Sequence, residues 1–173
     1  MNGSELQPHL EGELLELRPL VPADWAELFT AASDPLIWEQ HPASNRYEEE
    51  VFRVFFEDAL ASKGALVAID RKSGQIIGSS RYAHNELGEL EVGWTFLVRD
   101  CWGKGYNREM KRLMLEHAFR FVESVIFVIG PENRRSRRAV EKIGGVLTEL
   151  TSTRMMHGEK VEHVIYRIVR QQA

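Results

Sequence analysis

The sequence predicts an α/β fold built on a mixed sheet. Four segments carry apolar residues at helical spacing, and most other apolar residues alternate with polar ones or form short continuous runs, as in strands. Helical and strand segments interleave along the chain in the order βααβββαβαββ. This interleaving is typical of domains in which helices pack on the faces of a sheet.

The first half of the chain predicts one strand, two helices and a β-hairpin. Prolines at 19 and 22 end the first strand, and Pro22 suits the first turn of the helix that follows. Ser73 and Gly74 form a turn signal between the two hairpin strands. The predicted elements are a strand at residues 13–20, a helix at 22–32, a loop or short helix at 35–42, a helix at 48–62, and strands at 65–70 and 75–82.

The second half predicts four further strands and two helices. The continuous apolar run at 125–129 is typical of a strand buried on both faces. Alternation in the preceding strand predicts one shared face for Leu90, Val92, Trp94, Phe96 and Val98. The predicted elements are a strand at 89–98, a helix at 105–122, a strand at 125–129, a helix at 133–143, and final strands at 146–156 and 161–169 that meet at a turn, 157–158.

Length and composition are those of one globular domain. The chain has 173 residues, of which 43% are hydrophobic and 28% are charged, so it can bury a core without disulfides or a metal. Cys101 is the only cysteine, which excludes an internal disulfide and a cysteine-based zinc site, and the six histidines lack metal-ligand spacing. We expect no metal, a flexible polar segment at residues 1–12 and a folded domain at residues 13–173.

Charge and hydropathy argue against several classes of function. The net charge of −4 argues against general nucleic-acid binding. No apolar run is long enough to span a bilayer, and the first residues lack the basic start and apolar core of a signal peptide. We expect a soluble, cytoplasmic protein without membrane contact.

A glycine-containing turn joins the alternating strand to the third helix. Residues 102–107, Trp-Gly-Lys-Gly-Tyr-Asn, place two glycines where the backbone turns tightly and a ligand can approach without Cβ obstruction. The helix start adds unpaired N–H groups and the positive end of the helix dipole, so a phosphate or pyrophosphate can bind. Such a pair of glycines is more often only a turn, and the segment matches neither a Walker loop nor a complete dinucleotide fingerprint.

The fourth helix begins with four arginines after Asn133. Arginine is electrostatically unfavourable at a helix N-terminus, so a bound anion would explain Arg134, Arg135, Arg137 and Arg138. A solvated basic face is the alternative explanation. A third interpretation, RNA binding through this helix, is disfavoured by the acidic net charge and by the lack of aromatic residues between the arginines.

Three separated motifs together resemble the GNAT acetyltransferases. They are Glu-Val-Gly-Trp at 91–94, Trp-Gly-Lys-Gly-Tyr at 102–106, and Asn133 with Ser136 and the run Glu-Lys-Ile-Gly-Gly at 141–145. They occur in the family's order on matching predicted elements, and the similarity extends from residues 17–19 to the last strands. The chain is most similar to the ribosomal-protein N-terminal acetyltransferase-like branch. Tryptophan is usual at position 102 in that branch, whereas Asn107 stands where the family has glycine or alanine.

The resemblance implies a GNAT-like single domain, with a mixed, mostly antiparallel sheet, splayed central parallel strands and about four flanking helices. In the family, the pantetheine arm of acetyl-CoA inserts between the splayed strands, which here are 89–98 and 125–129. Free backbone groups of these strands would pair with the arm, and a strand N–H near Phe96 would bind the thioester oxygen. The residues that the resemblance implies for cofactor binding are Phe96, Leu97, Val98, Gly103, Lys104, Gly105, Tyr106, Asn107, Asn133 and Arg138.

The implied reaction is transfer of the acetyl group from acetyl-CoA to a primary amine by direct attack. The amine must first lose a proton, which at about pH 7.4 costs about 4 kcal/mol for lysine but less than about 1 kcal/mol for an α-amine. A modest base therefore suffices for a protein N-terminus. The resemblance suggests Glu91 as the base, acting directly or through water, with Glu89 as the second choice. An outward-facing Glu91 without a catalytic role is the alternative.

The resemblance also implies a proton donor for the departing thiolate. Many relatives have a tyrosine seven positions after the asparagine, but Val140 stands there. Ser136 is the candidate donor, with a purely structural Ser136 or no donor at all as alternatives. Cys101 is expected to pack in the protein rather than form an acyl-enzyme. Residues from the first two helices, their connecting loop and the hairpin are candidates for acceptor recognition: Trp38, Glu39, His41, Arg46, Arg81 and Tyr82.

Three classes of function follow from these observations. The leading one is an N-acetyltransferase acting on a protein N-terminus or a small-molecule amine. A non-catalytic acyl-CoA-binding module, favoured by the missing tyrosine and by Asn107, and an RNA-associated protein are the alternatives. The final hairpin leaves a strand edge at which a second copy could pair, so a homodimer is the expected assembly.

Overall fold

A single sheet organises the fold and separates helices on its two faces. The computed structural model describes residues 5–85 and 88–171, which form eight strands and four α-helices. The strands are β1 (Leu10–Glu11), β2 (Leu15–Pro19), β3 (Ala65–Asp70), β4 (Ile76–His84), β5 (Leu90–Leu97), β6 (Ser124–Ile129), β7 (Val146–Met156) and β8 (Glu159–Val169). The helices are α1 (Trp25–Ala32), α2 (Glu49–Ser62), α3 (Tyr106–Ala118) and α4 (Arg134–Lys142), with 3₁₀ turns at Pro22–Asp24, Pro35–Ile37 and Arg99–Cys101.

The sheet is mixed and mostly antiparallel, as the sequence and the resemblance predict. Its strand order is β1-β2-β3-β4-β5-β6-β8-β7, and β5 and β6 are parallel neighbours. These two strands pair at Leu90 with Val125 and at Glu91 with Ile126, and no further pair forms between them in the described part of the chain. The sheet therefore opens beyond Glu91, which confirms the expected splay.

A β-bulge in β5 overturns the predicted alternation of its side chains. Between the positions that pair with Arg81 and Ser79, β5 has one residue more than β4, and Trp94 there has a left-handed backbone with φ of 53°. The extra residue reverses the faces of the side chains beyond it. Val92 packs in the core cluster that contains the α3 side chains, whereas Trp94 and Phe96 pack with the α1 and α2 side chains. The prediction of one shared face is therefore wrong.

The helices lie close to their predicted positions, with two differences at their ends. The first helix starts as the 3₁₀ turn at Pro22–Asp24 before it continues as α1. The third ends at Ala118, four residues before the predicted end, where Arg170 donates to the Phe119 carbonyl at 3.1 Å. Within the described ranges, no helix is both long and apolar enough to cross a membrane.

The buried carboxylate of Glu109 on α3 fixes the turn that joins β1 to β2. Glu109 is 9% exposed and accepts hydrogen bonds from the backbone N–H groups of Glu13, Leu14 and Leu15, at 2.9, 2.8 and 3.0 Å. The strand β1 lies just before this turn and pairs with β2. Part of the segment predicted to be flexible, residues 1–12, thus lies in the sheet, and residues 1–4 lie outside the described residues.

The strand β7 forms one edge of the sheet and carries apolar residues that solvent reaches. The turn at residues 157–158 joins it to β8, as predicted. Its exposed apolar residues are Val146, Leu147, Leu150 and Met155. This is the edge at which the sequence predicts pairing with a second copy, and the homodimer stays a prediction.

We expect Glu109→Ala to lower the free energy of unfolding by about 3 kcal/mol, because three backbone N–H groups would lose their acceptor. Urea unfolding followed by circular dichroism measures this loss. The matched control is Glu116→Ala on the same helix, where an exposed carboxylate pairs with Arg112, and it should cost less than about 0.5 kcal/mol. Equal losses in the two variants would contradict the role assigned to Glu109.

Candidate active site

A cleft of about 1000 Å³ opens where β5 and β6 separate. One wall is β5 from Val92 to Leu97, and the other begins at Phe127 of β6. The starts of α3 and α4, the loop before α2 and the β7–β8 hairpin complete its lining. The cleft therefore connects the two faces of the sheet.

The glycine turn before α3 has the geometry of an anion site. Gly103 and Gly105 have φ of 72° and 88°, which glycine adopts without strain, and both line the cleft with Asn107. No described residue accepts a hydrogen bond from the backbone amides of residues 103–107. These amides and the positive end of the α3 dipole thus remain available to a phosphate.

Two side chains of this turn lie elsewhere than the cleft. The Tyr106 hydroxyl donates to Asp70 at 2.9 Å, which ties the turn to the β3–β4 hairpin. Lys104 is exposed and is not among the residues that line the cleft. Their predicted contribution to cofactor binding is therefore limited to their backbone amides.

The β5 edge presents a different set of backbone groups from the one predicted. The Val98 N–H donates to the Ile77 carbonyl of β4 at 2.8 Å, and the Phe96 carbonyl lies against Gly78 of β4. Because main-chain groups alternate sides along a strand, those of Leu97 face the cleft. The Val98 amide is thus already used by β4, and the cofactor-binding roles of Phe96 and Val98 stay predictions.

The start of α4 places an amide and a hydroxyl side chain in the cleft. Asn133 is 4% exposed and caps the helix by accepting a hydrogen bond from the Ser136 N–H at 3.4 Å. Both residues line the cleft, and the Ser136 hydroxyl has no hydrogen-bond partner among the described residues. A proton donor with a free hydroxyl can therefore reach the cleft from this helix.

The four arginines of α4 have separate roles and do not form one basic face. Arg134 and Arg138 line the cleft. Arg135 also lines it, but its guanidinium stacks 3.8 Å from the Trp102 ring centroid and donates to the Ile37 carbonyl at 2.8 Å. Arg137 instead donates to the Tyr166 hydroxyl and to the Pro131 carbonyl, both at 3.0 Å. The expected anion contact from Arg138 fits this arrangement.

Glu91 is a buried carboxylate at the point where the sheet opens. It is 3% exposed, and Arg154 of β7 donates to its Oε1 at 2.6 Å. Burial raises the pKa of Glu91, and the Arg154 hydrogen bond opposes part of that rise. Its Oε2 has no partner in the described residues, and a Cβ at Gly93 would lie 3.2 Å from it. Glu89, the second choice as base, is paired with Arg167 at 2.8 Å.

The predicted acceptor residues divide into those that line the cleft and those that do not. Trp38, His41 and Arg46 line it. Burial, with the nearby Arg46, lowers the pKa of His41 to about 3, so this imidazole is neutral. Glu39, Arg81 and Tyr82 are absent from the lining, and the Tyr82 hydroxyl donates to the Met114 carbonyl in the core.

Two further groups lie outside the lining of the cleft: the Cys101 thiol, and a cluster formed by His9, Glu11 and Glu16. Cys101 is buried, and burial raises the pKa of its thiol, so it packs in the protein as expected. His9, just before β1, brings a possible ligand atom within 4.8 Å of those of Glu11 on β1 and Glu16 on β2, but the three residues do not line the cleft.

Lys111, Arg154 and His163 are among the cleft residues that were not predicted. Lys111 shares its helix face with Met114 and Ala118, so a lysine within an apolar stripe was a usable signal. Its ammonium donates to the Thr95 hydroxyl, and burial lowers its pKa to about 7. Arg154 and His163 lie on facing strands of the final hairpin and reach the cleft only through sheet pairing, which no local pattern reveals.

Comparison with known proteins identifies related chains. The model of the GNAT acetyltransferase domain matches residues 15–146. The Bacillus subtilis protein YkkB is 31% identical over 83 residues, an alignment that covers 45% of this chain and 48% of YkkB. The chain thus matches about half the length of that curated relative.

Solved acetyltransferase structures share the fold over nearly the whole chain. A GNAT-family acetyltransferase from Bacillus anthracis superposes with a TM-score of 0.75 at 22% identity, over 94% of this chain and 98% of that one. The ribosomal-protein-S5-alanine acetyltransferase from Vibrio fischeri superposes with a TM-score of 0.69 at 16% identity, over 94% and 97%.

We expect Lys111→Met to stabilise the protein by about 2–4 kcal/mol near pH 7, because a buried ammonium without a carboxylate partner in the described chain is removed. The folded pKa lies below the unfolded one, so protonation opposes folding at neutral pH. This penalty fades as pH rises from about 7 towards about 10.

Urea unfolding of both proteins at several pH values measures the difference. The advantage of Lys111→Met should shrink steadily as pH rises. The exposed Lys72→Met is the control and should keep the pH dependence of the parent protein. An advantage that does not change with pH would contradict a buried charge at Lys111.

Proposed function

We propose that this chain, which belongs to the GNAT acetyltransferase family, is an N-acetyltransferase that transfers the acetyl group of acetyl-CoA to a primary amine by direct attack. The observation that carries the proposal is the row of available backbone amides at residues 103–107, at the side of a cleft between splayed strands. Diphosphate is the ligand that such a glycine turn and helix start suit best.

The residues of the cleft fit the parts of the cofactor in turn. The amides of Gly103 and Gly105 would bind the diphosphate, and Arg134 and Arg138 can reach other phosphate oxygens. The Leu97 N–H of β5 would hydrogen-bond the pantetheine arm, because the Leu97 carbonyl already accepts from the Trp102 indole. Asn133 would contact the same arm. Bound in this way, acetyl-CoA supplies an activated thioester to the centre of the sheet.

The base for the amine is Glu91, acting through a water molecule. Its Oε2 is buried without a protein partner in the described residues and lies beside Gly93, which lines the cleft although Glu91 itself does not. Burial raises the pKa of Glu91, whereas the hydrogen bond from Arg154 acts in the opposite direction and favours the ionised carboxylate that a base requires. Glu91 therefore removes the proton, and Arg154 keeps it able to do so.

The donor for the departing thiolate is Ser136. Its hydroxyl lines the cleft without a partner among the described residues, and the Asn133 cap fixes the backbone that carries it. Val140, at the position where many relatives have tyrosine, is 3% exposed and packs in the core. Ser136 is thus the α4 hydroxyl that can serve this step.

The acceptor class that the amine pKa favours is an α-amine. Its deprotonation near neutral pH costs about 3 kcal/mol less than that of lysine, so one buried carboxylate suffices as base. The Vibrio fischeri relative is named for acetylating an alanine of ribosomal protein S5. A protein N-terminus or a small molecule with an α-amine fits this requirement.

We expect Gly103→Glu to weaken acetyl-CoA binding by at least about 100-fold, because it places a negative side chain where the diphosphate binds. Isothermal titration calorimetry with acetyl-CoA measures the affinity. Gly74→Glu is the matched control, since Gly74 has a similar φ of 76° and equally open surroundings in the β3–β4 turn. Affinity within about twofold of the parent in Gly103→Glu would show that the diphosphate binds elsewhere.

We expect Glu91→Gln to lower kcat/KM by about 100-fold near pH 7 and by much less near pH 9, where more of the amine is already neutral. The pH profile of thiol release, measured with an acceptor amine, tests this. Because burial raises the pKa of Glu91, the acid limb of the parent profile should lie above the range of an ordinary glutamate. A uniform loss at every pH would assign Glu91 a positioning role.

A further inference from the structure

One end of the cleft holds more positive charge than its own carboxylate neutralises. We call this the acceptor end, and it consists of Arg46, Arg81, Glu91, Trp94 and Arg154. The pair Arg154–Glu91 is closed at 2.6 Å, but the other two guanidiniums have no ion pair among the described residues. The three guanidiniums thus outnumber the carboxylates that act on them, which are Glu91 and, on Arg81, Asp58.

Arg81 is almost fully buried without a hydrogen-bond partner. It is 7% exposed, and its Nε and Nη2 are buried with no acceptor in the described chain. Asp58 and Glu91 act on it through space, yet neither hydrogen-bonds to it. Its guanidinium lies 4.5 Å from the Trp94 ring centroid and 5.5 Å from that of Phe55.

Arg46 is held by aromatic faces in the same way. Its guanidinium lies 4.7 Å from the Phe55 centroid and 5.4 Å from the Trp38 centroid, and its side chain makes no hydrogen bond to a described residue. Burial, together with the charge of Arg81, lowers the pKa of Arg46 to about 10, so it remains a cation at neutral pH. Arg46, Arg154 and Trp94 line the cleft, and Arg81 lies behind Trp94.

These cations are placed away from the proposed diphosphate site. Arg46 and Arg81 stack on Phe55 of α2, on the face of the sheet that carries α1 and α2. The glycine turn at 103–107 opens α3, which packs on the opposite face. A guanidinium taken out of water without a counter-charge is costly, and ring faces return only part of that cost. A further anion at the acceptor end would supply the missing counter-charge.

The geometry points to an acceptor amine that carries an oxyanion, a carboxylate or a phosphate, which binds between Arg46 and Arg154 with Arg81 behind them. This inference rests on the proposed function, because it names the substrate class of the same site. The same charges lower the pKa of a bound ammonium and so favour its reactive neutral form. They also repel a second ammonium group, so polyamines should be poor acceptors.

Matched amine pairs that differ only in the anion test the inference. Suitable pairs are the amidated dipeptides Glu-Ala and Gln-Ala, and phosphoethanolamine with ethanolamine. The experiment measures thiol release from acetyl-CoA by the full chain. The kcat/KM of each amine is divided by the fraction of that amine that is neutral at the assay pH. We expect the anionic member of at least one pair to be favoured by at least about tenfold. The pair that shows the preference identifies carboxylate or phosphate as the source.

Arg46→Met should reduce this preference to less than about threefold, mainly by raising KM, without lowering the melting temperature. Its affinity for acetyl-CoA should stay within about twofold of the parent. The matched control is Arg53→Met, since Arg53 also stacks on a tryptophan, 4.1 Å from the Trp25 centroid, but on the exposed face of α2. A lower melting temperature with an unchanged preference would show a structural role for Arg46 and overturn the inference.

Binding by calorimetry to the CoA-loaded protein separates the remaining outcomes. Tighter binding of the anionic member, lost in Arg46→Met, supports the inference even where turnover is slow. Equal use of both members, or binding of neither, overturns it and leaves acetyl transfer standing. Failure of acetyl-CoA itself to bind would overturn the proposed function instead.

Discussion

The separation of β5 from β6 is the constraint on which the rest of the cleft depends. Pairing at Leu90 and Glu91 holds the two strands at one end, and beyond it their facing main-chain groups need other partners. At the rim, one side chain supplies such a partner and a second holds it in place. The Trp102 indole donates to the Leu97 carbonyl at 2.9 Å, and Arg135 stacks on that indole while donating to the Ile37 carbonyl. Together these contacts stabilise the rim of the cleft between β5 and β6 and leave its centre accessible to a ligand.

Charge is distributed so that each face of the opened sheet suits a different anion. On the α3 face, the positive end of a helix dipole and the amides of residues 103–107 present fixed partial charges. On the α1 and α2 face, Arg46 and Arg81 present full charges that little solvent reaches. Lys111 of α3 adds a buried ammonium that donates to Thr95 of β5. Buried cations without partners reduce the stability of the fold, and proteins keep such destabilising residues mainly where function requires them.

Features of the site that depend on local backbone geometry were predictable from the sequence. Gly103 and Gly105 indicated a tight turn at a helix start, and Asn133 indicated the start of α4, because glycine conformation and helix capping are decided within a few residues. Side-chain faces beyond a bulge were not predictable. The extra residue at Trp94 is set by how β5 pairs with β4, so a clean alternation in the sequence misassigned Phe96.

The sequence by itself determined the elements, their order and the turn that can hold a diphosphate, since each follows from periodicity or from the conformations that glycine and proline permit. Only the tertiary structure decided which charges meet. Arg46 comes from a loop, Arg81 from β4, Glu91 from β5 and Arg154 from β7, and they converge because strands far apart in sequence pair across one sheet. Long-range pairing brings them together, and no pattern within a short window of sequence records it.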